Sequence, residues 1–175
     1  MTGAVLSIGG NLGDSHAHLR AAVERLGTAV VGVSGVYRTP PWGDGAQPPY
    51  LNAVVLVEDR TATARDWLTR ARACEAAGGR VRDPDRRFGP RTLDVDVIAV
   101  WSDDGTPVVS GDPELTLPHP RAHLRAFVLV PWHAVRPDAE LPGYGPIAAL
   151  LTSPEVAADV AGVTLCPELS LESME

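Results

Sequence analysis

The chain contains no lysine; all 15 of its basic residues are arginines. That absence excludes Schiff-base chemistry through a lysine amine and the Gly-Lys-Ser/Thr loop that holds phosphates in many nucleotide-binding proteins. A GC-rich genome explains a preference for arginine over lysine, but not where the arginines fall. Cysteine is scarce: Cys74 and Cys166 lie far apart, without metal-ligand spacing, and read as free thiols in a reducing compartment. No apolar run approaches the roughly 20 residues that span a bilayer. The first residues carry neither the basic stretch nor the apolar core of a secretion signal. A soluble cytoplasmic protein is therefore expected. Aromatics make up only 5% of the residues, so each one beside a polar motif needs a reason. The net charge of -7 argues against general nucleic-acid binding, which needs a positive surface.

With 175 residues the chain is long enough for one domain with a real core. Residues 4–10 (AVLSIGG) read as a buried strand, and 16–27 as an amphipathic helix entered through cap-type residues and stopped at Gly27. Residues 29–37 (AVVGVSGVY) form a second strand, followed by a proline-rich loop over 38–50. Residues 51–58 form a third strand, 61–78 a helix, and 92–100 (TLDVDVIAV) a fourth strand. A further strand is expected at 107–110 (PVVS), loop turning into an apolar helical segment over 115–135, and a short helix within 144–151 (YGPIAALL). The order βαββαβ predicts an α+β, ferredoxin-like fold with extra C-terminal strands and helices. Residues 1–162 form a single domain in this reading, and 163–175 a loosely ordered acidic tail.

The chemistry concentrates around residue 94. Side chains alternate along a strand, so Asp94, Asp96 and Ile98 share one face while Leu93, Val95 and Val97 share the other. The two aspartates then stand about 7 Å apart at Cα, which is unfavourable among apolar neighbours unless positive charge lies between them. Two carboxylates with phosphate oxygens suit Mg²⁺. On spacing alone, a solvated edge strand or a carboxylate–arginine pair fits as well. The preceding segment adds Arg80, Arg82, Arg86, Arg87 and Arg91, whose guanidinium groups bind phosphate oxygens bidentately. An acid pair beside a basic loop is what a Mg–nucleotide site requires. Trp42, Tyr50 and Asn52 surround the proline-rich loop and suit a flat heterocycle, with aromatic faces to stack on and an amide to read an edge. Residues 9–15 (GGNLGDS) look like a phosphate-binding turn, yet the required lysine and the downstream acid of a dinucleotide fold are both missing. A tight turn with a helix cap is the better reading. Residues 117–127 add His119, Arg121, His123, Arg125 and Phe127 without the donor set of a zinc site. Phosphate contact by His119 and Arg125 fits better, with Phe127 as a second aromatic.

Four segments in order, SIGGNLGD, SGVYRTPPWG with QPPYLNAV, GRVR with RFGPRTLDVDVI, and LTLPHPRAHLRAFVL, resemble the 6-hydroxymethyl-7,8-dihydropterin pyrophosphokinase family over residues 4–135. The resemblance implies transfer of pyrophosphate from ATP to the hydroxymethyl oxygen of the pterin, releasing AMP in folate biosynthesis. It implies that Asp94 and Asp96 hold two Mg²⁺ ions and that Arg80, Arg82 and Arg91 belong to a catalytic loop. It places Tyr50 and Phe127 around the pterin, Asn52 at its edge, and Thr39, Pro40 and Trp42 in the loop beside it. Glu75, Phe88, Thr116, His119 and Arg125 match nucleotide-side positions. Departures from the family pattern are Gly10 for a serine, Phe88 for a tryptophan and Leu124 for a glutamate. Small-molecule substrates, no nucleic acid or membrane partner, and a monomer are expected. A nucleotide- or pterin-binding module without catalysis and a Mg-dependent nucleotide hydrolase are the alternatives.

Overall fold

In the computed structural model, residues 2–40, 46–79 and 92–172 are described. Strand β1 (Thr2–Gly10) leads through a turn to α1 (Ser15–Leu26). Asp14 caps α1, its Oδ1 accepting the Ala17 N–H at 3.1 Å, so the segment after β1 is a capped turn as its sequence suggested. Gly27 ends the helix at φ +58, a conformation glycine adopts without steric penalty. After a 3₁₀ turn come β2 (Val30–Val33), β3 (Tyr37–Thr39) and β4 (Tyr50–Asp59). Helix α2 (Ala64–Ala77) opens with a capping box between Thr63 and Asp66. Then follow β5 (Asp94–Ser102), the hairpin β6 (Ser110–Asp112) and β7 (Leu115–Leu117), and α3 (Ala126–Val135). The hairpin β8 (Glu140–Leu141) and β9 (Gly145–Pro146), helices α4 (Ile147–Leu150) and α5 (Pro154–Val160), and β10 (Thr164–Leu165) complete the chain.

The main sheet runs β10-β3-β4-β1-β5, with β2 on the same edge of β4 as β3, and its strands pair antiparallel. Counting β2 and β3 as one interrupted strand, this is the expected βαββαβ arrangement. One face packs on α1 and α2 through Leu6, Ile8, Val55, Val95 and Val97 against Leu19, Leu26, Trp67 and Cys74. Trp67 is fully buried and donates its indole N–H to Thr2 Oγ1 at 2.7 Å, pinning α2 to the start of β1. The other face packs on α3 and the C-terminal elements through Val5, Val54, Leu56 and Ile98 against Val128, Leu129, Trp132 and Ile147. A bulge in β5 between the partners of Val5 and Leu6 turns both Ile98 and Ala99 to this second face.

Three expectations change. The strand read over 29–37 is broken at Ser34, whose backbone N–H donates to Val54 O and whose Oγ accepts the Val54 N–H, both at 2.9 Å. A side chain thus substitutes for a backbone group, and the strand resumes as far as Thr39, which shortens the loop expected over 38–50. The strand expected at 107–110 forms at Ser110–Asp112 instead, while Pro107 only bridges to Trp101. Within 115–135 the loop gives way to a helix at Ala126, as expected, with Pro118 and Pro120 in the segment before it. The tail is not loose over 164–172. β10 pairs with β3, the Cys166 N–H donates to Val36 O at 2.8 Å, and Leu171 is buried in the α1–α2 core. His16 Nε2 lies 2.7 Å from Ser170 O, tying α1 to the same segment.

Candidate active site

The register of the sheet assembles the site. Gly9 on β1 stands opposite Asn52 of β4 on one side and Asp94 of β5 on the other; Ser7 stands opposite Val54 and Asp96. Directly paired side chains share a face about 4.5–5.5 Å apart at Cβ, so Asn52, Ser7, Asp94 and Asp96 all open onto the α3 side of the sheet. There a single pocket is lined by Ser7, Gly9, Thr39, Pro40, Tyr50, Asn52, Asp94, Asp96, Arg125 and Phe127. Eight of these lining positions, all but Ser7 and Gly9, were singled out from the sequence.

At one end the pocket suits a flat, polar-edged ring. Asn52 is buried and donates its Nδ2 to Thr39 Oγ1 at 2.7 Å, which fixes the plane of the amide. Gly9 makes room for it, since a Cβ at that position would meet Asn52 Oδ1 at 2.7 Å and the Leu51 carbonyl at 3.2 Å. Tyr50 and Phe127 bring aromatic faces to the same cavity. Tyr50 Oη donates to Gln47 Oε1 at 3.3 Å, and Gln47 Oε1 also accepts from Asn11 Nδ2 at 2.8 Å. Asn11 Nδ2 reaches Pro48 O as well, at 2.9 Å. The turn after β1 thereby holds the stretch before Tyr50. Sequence reasoning treated Asn11 only as a cap-type residue, and only its burial exposes this role.

The opposite end is charged. Arg125 at the start of α3 places Nη1 3.5 Å from Asp96 Oδ2, and its guanidinium lies 5.5 Å from the Phe127 ring centroid. β5 ends the main sheet's order, and three groups satisfy its outer edge. Glu75 Oε2 accepts the Val95 N–H at 3.3 Å, Ile98 O accepts the His119 N–H, and Val100 O accepts the Val108 N–H, the latter two at 2.8 Å. Glu75 and His119 thus brace the strand that carries the two aspartates. Burial, with the nearby Arg125 charge, pulls His119 down to about 4, while Asp94 opposes that fall. Its Nδ1 accepts the Arg121 N–H at 3.2 Å, so the ring is neutral near pH 7 and its proton sits on Nε2.

Thr116 is not among the pocket-lining residues; its hydroxyl donates to Asp112 O at 3.0 Å within the β6–β7 hairpin. Trp42, Arg80, Arg82, Arg86, Arg87, Phe88 and Arg91 lie outside the described residues. Among the described residues no group of three or more His, Cys, Asp or Glu side chains gathers. Two carboxylates on one face, open to a pocket, fit a hard cation that takes its remaining ligands from phosphate and water, as Mg²⁺ does.

Among the described residues no helix is long and apolar enough to cross a membrane. Solved structures share the fold. A chain titled as HPPK-DHPS in complex with substrates matches with TM-score 0.60 at 10% identity, over 85% of this chain and 42% of that one. A Plasmodium falciparum HPPK-DHPS matches with TM-score 0.57 at 11% identity, over 85% and 44%. This chain spans less than half of those two-part proteins, so they speak to the fold of that portion alone. Curated relatives span more. A Mycobacterium bovis protein named 2-amino-4-hydroxy-6-hydroxymethyldihydropteridine pyrophosphokinase is 48% identical over 90% of this chain and 86% of its own length. The Mycobacterium leprae protein of that name is 53% identical over 81% and 75%. A family model described as 7,8-dihydro-6-hydroxymethylpterin-pyrophosphokinase (HPPK) covers residues 5–137, from the first strand through the last helix that walls the pocket. With an acid pair and an amide-and-aromatic pocket inside that span, the chain belongs to the HPPK family.

Proposed function

We propose that this protein transfers the β,γ-diphosphoryl group of ATP to the hydroxymethyl oxygen of 6-hydroxymethyl-7,8-dihydropterin, forming the pterin diphosphate and AMP. The observation that carries this reading is the single pocket with Asn52, Tyr50 and Phe127 at one end and Asp94 and Asp96 at the other. A ring held at the first end presents its substituent to the second, so binding and reaction share one cavity.

The pterin stacks between Tyr50 and Phe127, and Asn52 reads its hydrogen-bonding edge beside Thr39 and Pro40. Its hydroxymethyl oxygen attacks the β-phosphorus of ATP; the α–β bridging oxygen leaves with AMP, and the hydroxyl proton passes to solvent. Asp94 and Asp96 are the residues that would hold Mg²⁺, two ions by the family resemblance, which would supply charge neutralisation for the phosphates and a lower pKa for the attacking hydroxyl. Arg125 sits beside the acid pair, where a cation offsets the negative charge of the phosphates. Neutral His119 offers an Nε2–H donor on the nucleotide side, and Glu75 holds β5 in place behind it. The parts taken by Arg80, Arg82, Phe88 and Arg91 on the phosphates, and by Trp42 on the pterin, rest on the family resemblance.

Incubation with ATP, Mg²⁺ and hydroxymethyldihydropterin tests the reading. AMP formed only when pterin is present is the expected product. ADP, or nucleotide breakdown without pterin, contradicts it, and no turnover with intact binding indicates a module that binds without reacting.

A further inference from the structure

The floor of the pocket holds a hydroxyl that the mechanism above does not use. Ser7 is 6% exposed, on the central strand β1, and lines the pocket beside both aspartates. Its neighbours along that face are Val5, packed in the α3 core, and Gly9, below the Asn52 amide. It is thus the polar step between an apolar interior and the site. Its hydroxyl has no hydrogen-bond partner among the described residues. Ser7 Oγ is not among the fully buried polar atoms left without a partner, so its one donor and two acceptor positions open into the pocket. A hydroxyl placed there is met by pocket water until a polar group of a bound ligand takes its place.

Register says which part of a ligand reaches it. Ser7 pairs with Asp96, whereas the ring-reading amide of Asn52 lies one row further along, opposite Gly9. A ring read by Asn52 therefore extends its substituent toward the Ser7–Asp96 row. We propose that Ser7 is a specificity-determining residue for the acceptor: its hydroxyl hydrogen-bonds the hydroxymethyl oxygen of the pterin and selects ring systems that bear a hydroxyl on that arm. This assignment rests on the function proposed above. A methyl-bearing analogue would leave the serine unmatched, so discrimination comes from a polar group left unpaired as much as from the bond itself.

Titration of wild type and Ser7→Ala with two ligands tests it: hydroxymethyldihydropterin and the 6-methyl analogue that lacks the hydroxyl. Nucleotide affinity and thermal midpoint are measured alongside. The expected result is about tenfold weaker binding of the hydroxymethyl compound by Ser7→Ala, equivalent to about 1.4 kcal/mol. The analogue's affinity, the nucleotide affinity and the thermal midpoint stay close to wild type. Equal losses for both pterins place the contact elsewhere and overturn the proposal, as does no loss for either. A fall in thermal midpoint with parallel loss of nucleotide binding makes Ser7 merely structural, which also overturns it. Failure of the wild type to bind any pterin is a different outcome, and it removes the functional reading itself.

Discussion

Replacing Gly9 by alanine separates the geometry of the pterin end from its chemistry, because the new methyl neither adds nor removes a hydrogen-bonding group. Its Cβ would meet Asn52 Oδ1 at 2.7 Å, a separation that real Cβ contacts do not show, and the Leu51 carbonyl of the paired strand at 3.2 Å. The carbonyl belongs to a β-ladder that resists movement, so the amide gives way. Asn52 then leaves Thr39 Oγ1, losing a 2.7 Å bond, and its amide no longer faces the ring. Loss of that internal bond, with a buried amide left partly unmet, costs about 1–3 kcal/mol of stability. For a chain of this size that lowers the thermal midpoint by about 2–4 °C for each kcal/mol. Loss of one to two hydrogen bonds to the pterin, at about 1.4 kcal/mol per tenfold, weakens its binding roughly 10- to 100-fold. Nucleotide affinity holds, since the nearest atoms to the new methyl all belong to Asn52 and Leu51. Calorimetric titration of each ligand, with a melting curve on the same sample, measures all three. Pterin affinity within twofold of wild type would refute the argument that an empty Cβ position sets the Asn52 amide.

Asn11→Ala removes both bonds that hold Gln47 and Pro48, and is expected to raise the KM for pterin several-fold with a smaller change in kcat. Steady-state kinetics check this, and an unchanged KM would remove Asn11 from the site. His119 has a folded pKa below its unfolded value, so the unfolded chain takes up the proton first as pH falls. Its contribution is intact above pH 6.5 and is lost progressively down to about 4. Holding that ring neutral costs about 3 kcal/mol at the acid end. Urea melts from pH 8 to 4 should show a steeper decline for wild type than for His119→Gln; parallel curves would contradict the assignment.

Much of this site could be read before any fold was known, because strand alternation is a strong rule. The period of two put Asp94 and Asp96 on one face and Val95 and Val97 on the other, and the core contacts agree. Tyr50, Asn52, Arg125 and Phe127, distant in the chain, also meet in one pocket. What stayed hidden depends on pairing between strands, which a single sequence does not encode locally. Ser7 and Gly9 matter because of what stands opposite them. The break at Ser34 needs Val54 beside it. The tail looked unstructured from its acidic composition, yet Leu171 finds a place in the core and Leu165 a partner in Tyr37. Thr116 shows the reverse, a hydroxyl of suitable type that serves its own hairpin.

The central claim is that the two aspartates on β5 carry a Mg-dependent diphosphoryl transfer. Single-turnover formation of AMP by Asp96→Asn, followed across Mg²⁺ concentrations with saturating pterin, tests it most directly. The substitution keeps the size of the side chain and removes the charge that a cation requires. A rate at least 10³-fold below wild type, about 4 kcal/mol of lost transition-state stabilisation, is the predicted result, with pterin affinity retained. A wild-type rate with wild-type Mg²⁺ dependence would contradict the account.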